Sequence, residues 1–367
     1  MVASVMPRAT PDAGGDEVAG LVMSLLAGLV SEADAATKLG IGRRDLRSLL
    51  EQYGLADAAM LPCRVDDQLA LTYIDIGRDS FAAPRFDDVV ERHKADPPPG
   101  RAVFRLPAPD MVRAGARVTG PAGIIAHVGR CGSTLLCNLL AATGGWAAIK
   151  EPEVVNRLLL RRANEPDETR QDMIGALVAG ALHSLAHGVR RDAAGAARHC
   201  VVKLSSWNLL FADAFVGRLA STPVVMLTRD PWATVASSLQ QLPDWYRAAS
   251  DMPAPDDRVA LARLFATEWS RIVDAALDLP GAPLFIRYEA LIDDPQAVLG
   301  AVRRRLGDDR ANAPDALGAV MRQYSKAAGQ EPFEPGGVHR RDMLDGDLRD
   351  VVTTITAASW ARLRGRE

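Results

Sequence analysis

Short apolar runs alternate with longer amphipathic stretches through the second two-thirds of the chain. Apolar runs of strand length that are separated by segments with helical spacing predict a parallel sheet covered on both faces. The predicted strands are Ile124–Val128, Trp146–Lys150, Cys200–Leu204, Val224–Thr228 and Leu284–Arg287. The predicted helices are Thr134–Ala142, Met173–Val189, Ser206–Leu219, Val259–Leu277 and Gln296–Leu306. This part of the chain is therefore predicted to be a doubly wound α/β domain.

The first part of the chain has a different pattern. Val18–Leu55 has helical spacing that is interrupted at Gly40–Gly42, and Leu71–Ile76 alternates like a short strand. A stretch rich in proline and glycine follows, and such composition is typical of linkers and loops. We therefore predict a small, mostly helical N-terminal domain with a short strand and a Pro-rich linker over residues 1–118, and the α/β domain over residues 119–367.

Composition adds few constraints to this picture. The 367 residues are 48% hydrophobic and 24% charged with a net charge of -3, so nothing chain-wide attracts nucleic acid or anionic lipid. The apolar stretch Leu21–Val30 is too short to span a bilayer, and acidic residues precede it where a signal peptide is basic. The cysteines show no metal-binding spacing and favour a reducing, cytoplasmic setting. They are Cys63, Cys131, Cys137 and Cys200.

A glycine-rich turn connects the first predicted strand of the α/β domain to the next helix. Its sequence is Gly129-Arg-Cys-Gly-Ser-Thr-Leu-Leu136. The two glycines permit positive φ and a close backbone approach. Ser133 and Thr134 would begin the helix, where unsatisfied backbone N–H groups and the helix dipole favour an anion. Arg130 adds a fixed positive charge, so the turn predicts a phosphate cradle.

The turn differs from a Walker A loop. In that loop a lysine follows the last glycine, whereas Ser133 follows Gly132 here, and no clear strand-end aspartate is present for magnesium. A kinase that uses ATP and magnesium is therefore disfavoured. It is the alternative enzyme that the sequence leaves open.

The turn resembles the 5′-phosphosulfate loop of sulfotransferases that use 3′-phosphoadenosine 5′-phosphosulfate (PAPS). That loop has a basic residue, a small residue, Gly, Ser or Thr, Thr and an apolar residue. Arg130, Cys131, Gly132, Ser133 and Thr134 match it in register. The resemblance implies that these residues bind the co-substrate, with Arg130 at the bridging and sulfuryl oxygens and Ser133 and Thr134 at the 5′-phosphate.

A second segment resembles the same family almost a hundred residues later. Arg229 follows the predicted strand Val224–Thr228, Asp230 suits an N-cap and Pro231 suits the first helical position. The family's 3′-phosphate site has a strand-end arginine and a serine eight positions after it. The resemblance implies that Arg229 and Ser237 contact the 3′-phosphate, with the next serine as the alternative to Ser237.

Sulfuryl transfer needs a cation at the leaving group and a base at the nucleophile. Cytosolic small-molecule members of the family place a histidine two positions after a strand-end lysine. Lys203 matches that lysine and is expected to assist at the sulfuryl oxygens, but Ser205 replaces the histidine. Other branches use a glutamate after the second strand, so Glu151 is the candidate base and Glu153 the alternative. A competing interpretation is that Glu151 caps the helix beginning at Pro152.

Two further segments have a looser resemblance to the family. Phe285–Leu291 is similar to its Arg-Tyr-Glu stretch and is interpreted as structural. Gly336–Arg341 is basic and glycine-rich, like the C-terminal loop that closes over the 3′-phosphate in the family. The resemblance implies that Arg340 or Arg341 contacts this phosphate, and an ordinary solvated loop is the alternative.

The N-terminal helices also resemble a helix-turn-helix of bacterial regulators. Arg43, Arg44 and Arg47 would lie at the start of the recognition helix, but nearby acidic residues offset them. A DNA-binding regulator is therefore the alternative among proteins that are not enzymes. The favoured hypothesis, a sulfotransferase, implies PAPS as co-substrate and no metal. It also implies an acceptor hydroxyl or amine on a small molecule or a carrier. Neither nucleic acid nor membrane is an expected partner, and the oligomeric state is open.

Overall fold

The computed structural model of the chain describes residues 14–52, 55, 58–76, 81, 83, 85–95, 103–114, 119–189, 199–248, 252–310, 314–321 and 344–366. Two sheets are formed within these residues. Their strands are β1 (Met60–Val65), β2 (Leu71–Asp75), β3 (Val103–Leu106), β4 (Gly123–His127), β5 (Trp146–Lys150), β6 (His199–Lys203), β7 (Val224–Thr228) and β8 (Leu284–Arg287).

Helices account for most of the other residues that the structure describes. The first group is α1 (Gly14–Leu26), α2 (Glu32–Leu39), α3 (Arg43–Gln52), α4 (Phe86–Ala95), α5 (Ala108–Ala114), α6 (Ser133–Ala142), α7 (Glu153–Ala163) and α8 (Glu168–Gly188). A 3-10 helix, Ser206–Ala214, precedes the second group. That group is α9 (Pro231–Gln240), α10 (Asp244–Ala248), α11 (Arg258–Leu277), α12 (Tyr288–Asp293), α13 (Pro295–Arg305), α14 (Pro314–Met321) and α15 (Gly346–Arg364).

The larger sheet is parallel and has the strand order β5-β6-β4-β7-β8. In β4 and β5 every residue is buried, because helices cover both faces of a parallel sheet. The apolar runs therefore continue without alternation, and all five predicted strands are present within one residue of their predicted bounds. The fold class predicted from the sequence, α/β with a parallel sheet and a mainly helical N-terminal part, is confirmed.

The N-terminal part contains more β-structure than the single strand predicted from the sequence. β1, β2 and β3 form an antiparallel sheet in which β2 is central. The predicted strand corresponds to β2, where the buried ring of Tyr73 stacks on Phe104 of β3 at 4.9 Å between centroids. β1 was missed because Pro62 lies within it and the register shifts between Pro62 and Arg64, which obscures the alternation.

The predicted break in the N-terminal helices lies at Gly40. Ser31 caps α2 by accepting a hydrogen bond from the backbone N–H of Asp34, and Gly40 ends α2 with φ 66°. Glycine adopts this left-handed conformation without the steric penalty that a Cβ brings. In α3, Leu46 and Leu50 are buried, and the three arginines of the helix-turn-helix resemblance are exposed.

The chain divides into two compact units. The first contains Met1–Gly123, Gly145–Val202 and Asp213–Thr222, and the second contains Ile124–Gly144, Lys203–Ala212 and Pro223–Glu367. The domain boundary predicted at residues 118 and 119 stays a prediction, because a compact unit is not the same as an independently folding domain. None of the helices within the described ranges has the length and apolar character needed to cross a membrane.

The core of the second unit includes a cluster between α9, α11 and α15. Val235, Phe265 and Val352 are buried there, and aromatic rings from these helices meet edge to face. Burial of apolar surface of this kind is the main favourable term in folding. The cluster fixes α9 and α11, and both helices carry residues of the candidate functional site.

Candidate functional site

The turn from β4 to α6 is in the second unit and has an unusual backbone. Gly129, Arg130 and Gly132 all have left-handed φ values, of 77°, 51° and 79°. A Cβ at Gly132 would lie 3.0 Å from Cδ2 of Tyr288, so this position excludes a side chain for two reasons. The conformation of Arg130 is strained for a residue other than glycine, and such strain is often found at functional sites.

A histidine holds the beginning of this turn. Nδ1 of His127 accepts a hydrogen bond from the backbone N–H of Gly129 at 2.9 Å. Its Nε2 lies 3.0 Å from the carbonyl oxygen of Leu204, so these two partners assign the hydrogen to Nε2. His127 is buried and ties the turn to the segment after β6, which gives it a structural role.

The turn ends where α6 begins. Gly132 is the N-cap and provides no side-chain cap, and the hydroxyl residues Ser133 and Thr134 are the first two helical residues. The first N–H groups of a helix have no partner within the helix, and the dipole places positive potential there. Both side chains are largely buried. This end of α6 has the geometry with which helices bind anions, and the predicted cradle for a phosphate stays a prediction.

The two predicted nucleotide motifs meet within the second unit. Nε of Arg130 donates to Oγ of Ser237 at 3.0 Å, and one Nη donates to the side chain of Gln241 at 2.8 Å. Arg229 donates from Nη1 to the backbone oxygen of Arg130 at 2.9 Å. The guanidinium of Arg229 also stacks on the ring of Tyr288, at 4.3 Å from its centroid.

The helix that carries Ser237 begins as the sequence predicts. Asp230 caps α9 by accepting from the backbone N–H of Ala233, and Pro231 is the first helical residue. Ser237 is buried and faces Arg130, whereas Ser238 donates its hydroxyl to the carbonyl of Thr234 in its own helix. Ser237 rather than Ser238 is therefore in contact with the turn.

Two further side chains of the turn region are buried, Lys203 and Cys131. Burial raises the pKa of the Cys131 thiol to about 11, although the positive charges of Lys203 and Arg229 oppose the shift. The thiol donates to the carbonyl of Leu227 and stays protonated at neutral pH. The side chain of Cys131 is therefore engaged within the protein, and Lys203 is a third cation close to the turn.

Glu151 and Glu153 belong to the first unit, at the end of β5. Glu151 has φ 51°, a strained value, and Pro152 is the N-cap of α7 without a side-chain cap. Glu153 is engaged in its own helix, where its carboxylate accepts from Asn156 and Arg157 at 3.1 Å each. Glu153 is therefore engaged within α7, and which of the two glutamates acts as the base stays a prediction.

The sequence did not indicate what supports Glu151. The amine of the preceding residue, Lys150, donates to the backbone oxygens of Phe81 and Ala83, at 3.2 Å and 2.9 Å. Oδ2 of Asp87 accepts from the backbone N–H of Glu153 at 2.9 Å and so caps α7. Both contacts come from the N-terminal segment before β3, more than sixty residues away, so no local pattern could show them.

Three residues that contact the turn or its partners in the second unit were not predicted from the sequence. Tyr288 lies in the stretch interpreted as structural, and Glu268 lies on the apolar face of α11, where an acidic residue is unusual. Gln241 has no motif around it. The predicted contacts of Arg340 and Arg341 fall outside the described residues. Among the described residues, no group of three or more His, Cys, Asp and Glu side chains could hold a metal ion.

The fold and the turn define an α/β protein in which a glycine-containing turn joins a buried strand to the start of a helix. The sulfotransferase family model matches residues 124–310, just over half of the chain. The chain therefore belongs to the sulfotransferase family. A comparison with curated proteins gave no match.

Several solved structures are similar to the chain. The sulfotransferase domain of the olefin synthase from Synechococcus PCC 7002 is 20% identical, with a TM-score of 0.41, over 65% of this chain and 95% of that chain. A sulfotransferase from Alicyclobacillus acidocaldarius is 16% identical, with a TM-score of 0.40, over 67% and 94%. Retinol dehydratase in complex with retinol and PAP is 13% identical, with a TM-score of 0.36, over 71% and 89%.

Proposed function

We propose that this sulfotransferase takes the sulfuryl group of PAPS and transfers it to a hydroxyl or amine of a small-molecule or carrier-bound acceptor. The observation that carries the proposal is the meeting of the two nucleotide motifs. Arg130 binds Ser237 while Arg229 binds the backbone of Arg130, so the two predicted phosphate sites adjoin each other. A nucleotide with phosphates at both its 5′ and 3′ positions fits that pairing.

The charges of the second unit suit this co-substrate. Arg130, Arg229 and Lys203 supply three cations near one turn, and the start of α6 adds its dipole. Such groups stabilise the charge that develops on the leaving bisphosphate, and fixed donors do so without reorganisation. In this proposal Ser133 and Thr134 hold the 5′-phosphate, and Arg229 and Ser237 hold the 3′-phosphate.

The transfer itself is an in-line displacement. The acceptor oxygen or nitrogen forms a bond to sulfur as the bond from sulfur to the bridging phosphate oxygen breaks. The acceptor's proton passes to a carboxylate, for which Glu151 is the candidate. Arg130 and Lys203 lie at the sulfuryl and bridging oxygens. The sulfuryl group carries less negative charge than a phosphoryl group, so the proposal assigns no metal.

The proposal also places the protein in the cytoplasm. All four cysteines are buried and none is in a disulfide, which fits a reducing compartment. Neither nucleic acid nor a membrane has a role in it.

A thermal-shift experiment tests the nucleotide. Purified full chain is heated with adenosine 3′,5′-bisphosphate, with ATP and magnesium, or with 5′-AMP. A ligand at a hundred times its dissociation constant stabilises by about 2.7 kcal/mol, which raises the midpoint by roughly 3–4 °C if all 367 residues unfold together. We expect the largest shift with the bisphosphate. A shift with ATP and magnesium alone would favour a kinase.

Two variants make the test specific for the site. Arg229→Ala removes the cation at the predicted 3′-phosphate site, so we expect the bisphosphate shift to disappear. Arg263→Ala, at an exposed position of α11, is the matched control and should keep the shift. If no nucleotide shifts the wild type, duplex DNA titrated at two salt concentrations tests the N-terminal alternative.

A further inference from the structure

An acidic residue interrupts the buried stripe of α11. Leu261, Phe265 and Ile272 are buried at helical spacing, and Glu268 occupies the same stripe between them. A carboxylate in an apolar setting is unfavourable unless it is hydrogen-bonded or protonated. Oε1 of Glu268 accepts a hydrogen bond from Oγ of Ser206 at 3.3 Å. The residue is therefore held in a defined contact.

Ser206 connects this carboxyl to the anion cradle. Its Cβ and Oγ each lie 3.9 Å from the position that a Cβ at Gly129 would occupy. Ser206 begins the 3-10 helix, three residues after Lys203 at the end of β6. Ser206 thus approaches the beginning of the turn, and Glu268 is hydrogen-bonded to Ser206.

The charge of Glu268 conflicts with the charge of a bound nucleotide. Burial raises the pKa of Glu268 to about 7, and the hydrogen bond from Ser206 and the charge of Arg271 oppose the shift. No residue of α9 is charged, and on α15 Arg362 binds Asp274 farther along α11. Near neutral pH a small change in the surroundings therefore decides whether Glu268 holds a proton. An anion in the cradle favours the protonated form.

We propose that Glu268 takes up a proton when the nucleotide binds, and that Ser206 then donates its hydroxyl hydrogen to the anion held by the turn. In the free protein, the Ser206 hydroxyl donates to the carboxylate. In the complex, the protonated Glu268 donates to Oγ of Ser206, which frees the serine hydrogen for a phosphosulfate or phosphate oxygen. Ser206 and Glu268 are thus further nucleotide-binding residues, and the inference rests on the proposed function because it requires a nucleotide in the turn.

Proton uptake can be measured without knowing the acceptor. Adenosine 3′,5′-bisphosphate is titrated into the full chain by calorimetry at pH 8, in buffers that differ in their heat of ionisation. We expect the wild type to take up a sizeable part of one proton per site. Its dissociation constant should rise above pH 7 by up to about tenfold per pH unit, until the pKa of Glu268 in the complex is reached.

The variant Glu268→Gln keeps a side chain that can donate to Ser206 and cannot titrate. We expect its dissociation constant to stay flat between pH 7 and pH 8.5 and its proton uptake to vanish. The second phosphate ionisation of the ligand, near pH 6, is common to both proteins, so their difference isolates Glu268. Asp347→Asn, which removes an exposed carboxyl of α15, should behave like the wild type.

A second variant tests the same idea through the hydroxyl. Ser206→Ala should weaken bisphosphate binding across the whole pH range, because it removes the hydroxyl that donates to the anion. Equal proton uptake in the wild type and in Glu268→Gln would overturn the inference while leaving the proposed nucleotide in place. A wild type that binds no bisphosphate at any pH would instead overturn the proposed function itself.

Discussion

Nε of Arg130 donates a hydrogen bond to Oγ of Ser237 at 3.0 Å, although the two residues are 107 positions apart in the sequence. Each side chain is also held from elsewhere, Arg130 by Gln241 and Ser237 by its burial in α9. The cation of the first motif is therefore already oriented beside the hydroxyl of the second. Pre-positioned donors of this kind lower the entropy cost of ligand binding.

The first prediction concerns this serine. Ser237→Ala removes one hydroxyl from the proposed 3′-phosphate site, and hydrogen bonds to charged groups contribute roughly 1.5–3 kcal/mol. We expect adenosine 3′,5′-bisphosphate to bind about tenfold more weakly or worse, and 5′-AMP to bind unchanged. Calorimetry with both ligands measures the selectivity. Ser238→Ala is the control because that hydroxyl binds Thr234 of its own helix, and an equal loss in both variants would contradict the assignment.

The second prediction concerns the glycine at the start of α6. Gly132 and Gly307 have nearly equal φ values, 79° and 78°, but only Gly132 has Tyr288 and Leu291 within 3.4 Å of a Cβ. A left-handed alanine costs about 1–2 kcal/mol at either position. We expect Gly132→Ala to lose more free energy of unfolding than Gly307→Ala, and also to lose bisphosphate binding, because Tyr288 supports Arg229.

Urea unfolding of the two glycine variants, analysed with a common slope, gives the difference directly. Equal losses of free energy of unfolding in the two variants would show that the structure relieves the contact with Tyr288 without cost. Retained bisphosphate binding in Gly132→Ala would show that the turn does not hold the nucleotide.

Sequence reasoning located the parallel sheet and the turn for a physical reason. β4 and β5 are buried along their whole length, so their apolar runs are continuous, and Gly132 is required by its positive φ and by the close contact with Tyr288. Those constraints act within a few residues and are therefore visible in the sequence. The predicted helix Ser206–Leu219 is different, because the chain forms the 3-10 helix Ser206–Ala214 with a non-helical Phe211.

Contacts made over long sequence distances could not be predicted in this way. The cap of α7 by Asp87, the stacking of Tyr288 on Arg229 and the bond between Ser206 and Glu268 each join separate elements. Of these residues, only Glu268 can be noticed in the sequence, because it is an acidic residue in the apolar stripe of α11. The segment predicted as a Pro-rich linker also contains α5, whose residues Ala108 and Met111 are buried.

The third prediction concerns pH and the free energy of unfolding. The pKa of Asp87 is raised to about 6, chiefly by burial and also by the charge of Glu153, while the backbone N–H of Glu153 opposes the shift. The folded chain therefore holds this proton at a higher pH than the unfolded chain. As the pH rises from about 4 to about 6, the contribution of Asp87 to stability falls, and it stays at the lower value above that range.

Asp87→Asn removes this titration and keeps an oxygen for the backbone N–H of Glu153. We expect the difference in free energy of unfolding between wild type and variant to fall from pH 4 to pH 6, and the variant to be at least as stable as the wild type at pH 7.5. Chemical unfolding at several pH values measures it. Asp88→Asn, an exposed neighbour, is the control, and a difference that is flat across the range would contradict the expectation.

The last prediction separates chemistry from binding at Glu151. Glu151→Gln keeps the size of the side chain and removes the proposed base, so transfer from sulfur-labelled PAPS to a panel of phenols, alcohols and amines should fall by about 10²–10⁴. The bisphosphate thermal shift should be unchanged, because the residues that we propose hold the nucleotide lie in the second unit. Glu153→Gln is the matched control, since its carboxylate binds Asn156 and Arg157 in its own helix. Normal turnover in Glu151→Gln together with a loss in Glu153→Gln would move the base two residues along the chain. Normal turnover in both variants would place the acceptor's proton on a group other than these two glutamates.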